Sequence, residues 1–309
     1  MRIIQIELGR PIRIDKPLCA CIGYFDGIHL GHQALINKTL ELSKIHNCDA
    51  ALITFDPDPR VTVTGIKNIK HLTTMKQRIN LAVKYGIRNI IILKFSKEMA
   101  NLDYEVFEDE ILVKCNLIAL VCGFDFRYGK NGEGNSLTLK ASGKFEVEII
   151  DSVNENNEKI STTRILSELQ KGKIEKANKL LGYYYEIQGR IIEGRGKGKT
   201  IGFPTANIEP EDEYYLPKQG VYSAYIRLDN IWYKAMVNIG HNPTFNEVDE
   251  VSLEAHILDF NKDIYGKNIS LQFVNYLRDE IKFNSVENLK LQLDQDLMTV
   301  RKTLDNYKG

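Results

Sequence analysis

The sequence has no surplus of either charge: 41 Lys and Arg balance 41 Asp and Glu in 309 residues. That leaves no broad positive face for a nucleic-acid backbone or an anionic membrane, so any phosphate site has to be local. Long apolar runs are lacking too. The stretch "MRIIQIELGRPIRI" contains no unbroken apolar segment of the sort a secretory leader needs, and no run reaches the length of a membrane span. The expectation is a chain that works in the cytoplasm. Cysteine is sparse and odd in number: Cys19, Cys21, Cys48, Cys115 and Cys122 lie mostly inside apolar runs, which fits reduced, buried thiols. Cys19 and Cys21 share one face of a strand but have no His or Cys partners at zinc spacing. Internal repeats and low-complexity linkers are absent. What remains, 43% apolar and 27% charged, is ordinary globular composition at a length suited to about two domains.

From residue 18 to about residue 150, short continuous apolar runs alternate with amphipathic stretches. The apolar runs are "LCACI", "AALITF", "NIIILKF" and "LIALVCG"; between them lie "HQALINKTLELSKIH", "TTMKQRINLAVKYG" and "DYEVFEDEILVKC". Continuous strands separated by helices predict an α/β domain with a doubly wound parallel sheet covered on both faces. The loops "GYFDGIH", "DPDPR" and "GFDFRYGKNGEGN" then fall beyond the carboxyl ends of strands, where such sheets bind ligands. "ISTTRILSELQKGKIEKANKLLG" predicts two short helices, broken near Gly172 and closed by Gly182. Beyond it the texture turns aromatic and β-branched, as in "YYYEIQGRII", "GVYSAYIRL" and "NISLQFVNYL", which predicts a small antiparallel barrel. The helical stretch "SVENLKLQLDQDLMTVRKTLDNY", capped by Ser285, closes the chain. The expected division is 1–182 and 183–309.

Two stretches hold residues that packing does not explain. In "CACIGYFDGIHLGHQALI", His29 and His32 are three apart at the mouth of a helix, so their rings lie on one side of its first turn. A helix start offers unpaired amides and positive partial charge to a phosphate, and Gly27 and Gly31 allow close backbone approach. "STTR" brings Ser161, Thr162 and Arg164 to another helix start, a second candidate clamp. The bland alternative is a capped helix with surface histidines. In the second half, "EGRGKGKT" is not a P-loop, since the required first glycine falls on Glu193 and Pro204 forbids the following helix. It reads as a glycine flap in which Gly194, Gly196 and Gly198 lend amides while Arg195, Lys197 and Lys199 add charge. Thr205 and Asn207 are two apart on an extended segment, so their side chains point the same way. Glu254 interrupts an apolar strand, with His256 on its face.

"GYFDGIHLGH" resembles the H-x-G-H signature of nucleotidyltransferases in the form found in bacterial bifunctional riboflavin kinase/FAD synthetases. The likeness extends over almost the whole chain through "CGFDFRYGKNGEGN", "ISTTRI", "GFPTAN", "LPKQGVY", "NIGHNPTF" and "LEAHILDF". It implies an FMN adenylyltransferase domain followed by a riboflavin kinase barrel, both using ATP and magnesium, with flavins as substrate and product. It implies that Gly23, Phe25, Asp26, Gly27 and Gly31 form the nucleotide loop, that His29, His32 and Arg164 act on the ATP phosphates, and that Asp125 and Arg127 flank the flavin. Thr205 and Asn207 would hold magnesium, and Glu254 would be the base that takes the riboflavin hydroxyl proton. The implied partners are riboflavin, FMN and ATP, with neither nucleic acid nor membrane, and a monomer or weak oligomer. One departure stands out: "TFDPDPR" carries Asp58 where the family usually has histidine. A carboxylate there repels a triphosphate unless it turns away or magnesium intervenes, so a kinase with weak or lost adenylyltransferase is one rival reading. A non-catalytic flavin sensor or RNA-binding regulator of the same fold is another.

Overall fold

In the computed structural model, which describes residues 1–66, 69–194, 198, 201–242 and 250–305, the apolar runs of the first half become a six-stranded parallel sheet. Its strands are β1 (Arg2–Ile6), β2 (Leu18–Ile22), β3 (Asp49–Asp56), β4 (Asn89–Lys94), β5 (Leu117–Gly123) and β6 (Glu146–Ile150), in the order β1-β4-β3-β2-β5-β6. All five positions of β2 are buried, so both faces of the sheet must be covered. Ala20 and Ile22 join Ile53, Ile91 and Leu120 in the core on one face. Cys19 and Cys21 join Leu52, Ile90 and Val121 on the other, beneath α1 (Leu30–Ile45), which adds Leu35, Ile36 and Leu42. β1 is the strand that an alternation beginning at residue 18 leaves out. It is an edge strand, mostly exposed, and therefore lacks the continuous burial that marks its neighbours. Two further helices sit near the site: α2 (Pro59–Thr64) and α3 (Met75–Lys84), the latter opened by a Thr74/Gln77 capping box.

The strand order reverses beside β2, with β3 on one side and β5 on the other. The loops leaving β2 and β5 thus flank a topological switch point, the crevice where doubly wound sheets take ligands.

By its internal contacts the chain divides into two units, residues 1–69 with 73–162 and residues 70–72 with 163–309. The helices α4 (Thr162–Gln170) and α5 (Ile174–Leu181) are parted by Gly172 at φ 73°, and α5 ends on Gly182 at φ 76°. Asn178 on α5 donates to the carbonyl of Phe273 at 2.9 Å and accepts from Tyr185 N–H at 2.8 Å, which fixes this helix to the barrel. The barrel strands are β7 (Glu186–Ile192), β8 (Ala206–Pro210), β9 (Gly220–Leu228), β10 (Ile231–Asn242), β11 (Glu250–Ile257) and β12 (Asn268–Arg278). They close in the antiparallel ring β7-β8-β11-β10-β9-β12. On β11, Leu253, Ala255 and Ile257 fill the interior, while Ser252, Glu254 and His256 fall on the other face. α6 (Val286–Leu304), capped by Ser285, lays Val300 and Leu304 against Val221, Tyr225 and Met236 on that outer side.

Candidate active sites

In the first unit, His29 is the N-cap of α1: its Nδ1 accepts the backbone N–H of His32 at 3.3 Å. Because Nδ1 accepts, the ring proton belongs on Nε2, which is left as a neutral donor. The two imidazoles stack at 3.7 Å between centroids and 16° between planes, and Phe25 tilts against His32 at 5.1 Å. A Cβ on Gly31 would come within 3.1 Å of the His29 ring, so glycine keeps this stack accessible to its own turn. Burial, with the Lys159 ammonium second, lowers His29 to about 4. Burial also drives His32 well below the usual histidine range, helped by His29 and Arg78, and its buried Nδ1 has no hydrogen-bond partner. Two neutral imidazoles beside two cations, at a helix start, form a site that favours an anion.

The loop that delivers them is locked from several directions. Phe25 is left-handed at φ 58° and fully buried, and Gly27 has φ 79°. Asp26 accepts from both the N–H and the hydroxyl of Thr73 at 3.0 Å, and Thr73 accepts from Gly27 N–H at 2.9 Å. Gly23 N–H donates to Ile53 at 3.1 Å, extending the β2 pairing into the loop. Thr162 donates to the Asp26 carbonyl at 3.4 Å, with Ser161 just before it; Arg164 falls in the second unit. Arg78, which motif reading missed, is buried on α3, donates to the carbonyls of Tyr24 at 3.0 Å and Thr73 at 3.4 Å, and lies 4.2 Å over the Tyr24 ring. In the loop after β5, Asp125 pairs with Lys159, whose ammonium is 4.6 Å over Phe124, while Arg127 is exposed on a two-residue strand opposite Asn135. Asp58 is occupied. It caps α2, accepting Arg60 N–H at 2.8 Å, and binds the Arg60 guanidinium at 3.2, 3.0 and 2.6 Å. The expectation is a carboxylate that turns away, recruits magnesium or weakens the site; the geometry is instead that of a carboxylate matched by the neighbouring Arg60.

In the second unit, strand register sets Asn207 opposite Glu254 across β8 and β11, and Asn238 opposite Glu254 across β10 and β11. Their side chains therefore share a face. Thr205 donates its hydroxyl to Glu254 Oε2 at 3.2 Å, and Asn238 donates to Glu280 Oε1 at 3.2 Å. A Cβ on Gly194 would lie 1.7 Å from the Asn207 amide nitrogen, so any other residue there would push the Asn207 side chain aside. Gly198 accepts from Phe203 N–H at 2.9 Å; Gly196 and Lys199, with Arg195 and Lys197, lie outside the described residues. Glu254 and Thr205 border a cavity of about 260 Å³ whose apolar wall includes Phe203, Met236, Leu289 and Leu293. The α6 side of that wall is held by Arg278, which grips Asp296 through Nε at 3.0 Å and Nη2 at 2.7 Å. His256 is tied to the Pro204 carbonyl at 2.8 Å, a satisfied structural histidine. No motif marks Asn238, Glu280, Arg278 or Asp296, because their pairings join a strand to a segment or helix outside it.

A polar helix mouth at the switch point of a doubly wound sheet and a cavity bordered by Thr205 and Glu254 on a barrel fit a two-part transferase of phosphate-bearing groups. Residues 12–164 match the family model for FAD synthetase and residues 181–304 that for riboflavin kinase. A Listeria monocytogenes bifunctional riboflavin kinase/FMN adenylyltransferase is 39% identical, covering 96% of this chain and 96% of its own. One from Bacillus subtilis is 35% identical over 93% and 92%. A Streptococcus pneumoniae crystal structure described as a macrolide-efflux protein superposes with TM-score 0.92 at 31% identity over 100% of both chains. Among the described residues, no helix of this chain is long and apolar enough to cross a membrane. The chain belongs to the family of bifunctional riboflavin kinases/FMN adenylyltransferases.

Proposed function

We propose that the chain converts riboflavin and ATP to FMN and ADP on its barrel unit, then FMN and ATP to FAD and pyrophosphate on its parallel-sheet unit. The observation that carries this is the match of one half to each family model, within relatives that span the chain almost end to end. In the kinase step Glu254 takes the proton of the primary hydroxyl as that oxygen attacks the γ-phosphorus, and Thr205 steadies the carboxylate through its 3.2 Å hydrogen bond. Thr205 and Asn207 bring side-chain oxygens beside Glu254, a pair suited to magnesium completed by substrate phosphates. Magnesium, when bound there, supplies charge neutralisation for the transferring phosphoryl group.

The adenylyl step needs no protein nucleophile, because the FMN phosphate itself attacks the α-phosphorus and pyrophosphate leaves. The protein's part is alignment. His29 donates from Nε2, His32 offers its unpaired Nδ1, and Arg78 and Lys159 supply positive field. Because the Asp58 charge is matched by Arg60, adenylyl transfer is retained, in preference to a kinase-only chain. The reading places the enzyme in the cytoplasm, without a nucleic-acid partner, as a monomer or weak oligomer. Incubation with riboflavin, ATP and magnesium, followed by separation of the flavins, tests it: FMN and then FAD accumulate. Glu254→Gln should cut FMN formation by about 10²- to 10⁴-fold and leave FMN adenylylation unchanged. An unimpaired kinase in that variant overturns the base assignment, and flavin binding without ATP turnover in the wild type would make the protein a sensor.

A further inference from the structure

Among the five cysteines, two bring their sulfurs together: Cys48 Sγ lies 3.2 Å from Cys19 Sγ. Rigid elements hold both. Cys19 is fully buried on β2, paired with Ala50 on β3 and Ala119 on β5. Cys48 follows α1 directly and is half-buried; its N–H donates to the Ser43 carbonyl at 2.9 Å, and Asn47 before it is left-handed at φ 50°. The remaining thiols are differently placed. Cys115 and Cys122 are fully buried, and Cys21 points its sulfur at the Ala51 carbonyl at 3.8 Å. Burial pushes each of these three up to about 12, as it does Cys19, so what sets Cys19 and Cys48 apart is the contact of their two sulfurs.

We propose that Cys19 and Cys48 form a reversible modification site for peroxides: a dithiol that closes to a disulfide in the folded protein and staples the end of α1 to β2. The bond would enclose residues 19–48, the segment that carries both His29 and His32. From 3.2 Å the sulfurs must close by about 1.1 Å to reach disulfide length, a movement assigned to Cys48 at its turn. Cys48, the more accessible, attacks first as thiolate: an S–O bond forms, the O–O bond breaks, and the released hydroxide takes a proton to become water. Cys19 sulfur then displaces the sulfenic oxygen, which leaves as a second water with the Cys19 proton. Two thiols are oxidised by two electrons and one peroxide is reduced to two waters, so the step balances.

The test uses the full chain, treated with hydrogen peroxide in mildly alkaline buffer, denatured, and alkylated with N-ethylmaleimide before intact-mass and peptide analysis. The expected result is two fewer alkylated cysteines than the five of the untreated chain, a Cys19–Cys48 linked peptide, recovery with dithiothreitol, and a higher Tm in the oxidised form. Cys48→Ser, at a half-buried position, should lose no further alkylation on oxidation. Full alkylation after peroxide overturns the proposal. So does a linkage through Cys21, Cys115 or Cys122, or a Cys48 sulfinic acid beside an intact Cys19 thiol.

Discussion

Replacing Asp58 separates two physical pictures of the adenylyl site. In one, an uncompensated carboxylate beyond β3 meets the triphosphate. At an effective dielectric near 20, like charges about 4 Å apart cost about 4 kcal/mol, which is on the order of 10³-fold in binding. In the other the charge is already spent. Asp58 has a side chain only 2% exposed and binds Arg60 through both oxygens while capping α2. The Arg60 side chain is 55% exposed, so solvent screens the pair, and about 1 kcal/mol is a fair share for it. The cap adds about 1 kcal/mol.

Asp58→Asn keeps an oxygen for the cap and loses the ion pair, costing about 1 kcal/mol; Asp58→His loses both, costing about 2 kcal/mol. Each kcal/mol corresponds to a fall in Tm of about 2–4 °C for a unit of this size. The assay is a magnesium titration of FAD formation beside thermal unfolding, for wild type and both variants. The half-maximal magnesium concentration should move by less than about twofold, below 0.5 kcal/mol in binding, while Tm falls in the order wild type, Asn, His. A magnesium demand lowered by more than about tenfold with Tm unchanged would refute the compensated-charge account, because 1.4 kcal/mol of repulsion would then have been relieved at the phosphates.

Three further outcomes follow from the same geometry. Burial lowers His29 from 6.5 to about 4, so between those values the unfolded chain binds a proton that the folded chain refuses. The His29 share of stability is therefore full above the unfolded value and falls as pH drops toward 4, by up to about 3 kcal/mol; urea melts across that range check it, and His29→Asn should make the dependence shallower while leaving the share of His32, which burial also lowers. A fragment beginning at Thr163 should melt above one beginning at Tyr183, since the shorter piece loses Asn178 and unpairs its barrel partners at about 1–3 kcal/mol each; equal Tm values would mean α5 adds nothing to the unit. Arg78→Met should slow FAD formation by at least about tenfold through loss of two charge-assisted hydrogen bonds, with FMN formation as the internal control, and equal FAD rates would remove Arg78 from the site.

What the sequence makes legible is local or periodic. Five consecutive buried positions in "LCACI" already demand cover on both faces, so the parallel sheet can be read before any pairing is known. Gly172, Gly182 and Ser285 mark helix ends because capping acts within one turn. The edge strand β1 escapes since half-exposure removes the signal. Asp58 is instructive in the opposite sense: Arg60 stands two residues away, and an Asp-Pro helix start announces an N-cap. The partner is local, two residues along the chain, while the family pattern at this position speaks only of a histidine.

Asp26 marks the limit of such reading. Between Phe25 and Gly27 at a helix mouth it looks like a ligand-facing residue, yet an acid left free there would compete with phosphate for the same amides. Its carboxylate is spent instead on Thr73, 47 residues along the chain, and Thr73 in turn holds Gly27. One interaction thereby removes a competing anion from the helix start and fixes the turn that seats His29. No spacing within the "GYFDGIHLGH" motif encodes this. It depends on the start of α3, with Thr73 just before the helix and Arg78 on it, reaching the loop, so the motif supplies the chemistry while a distant segment supplies its geometry.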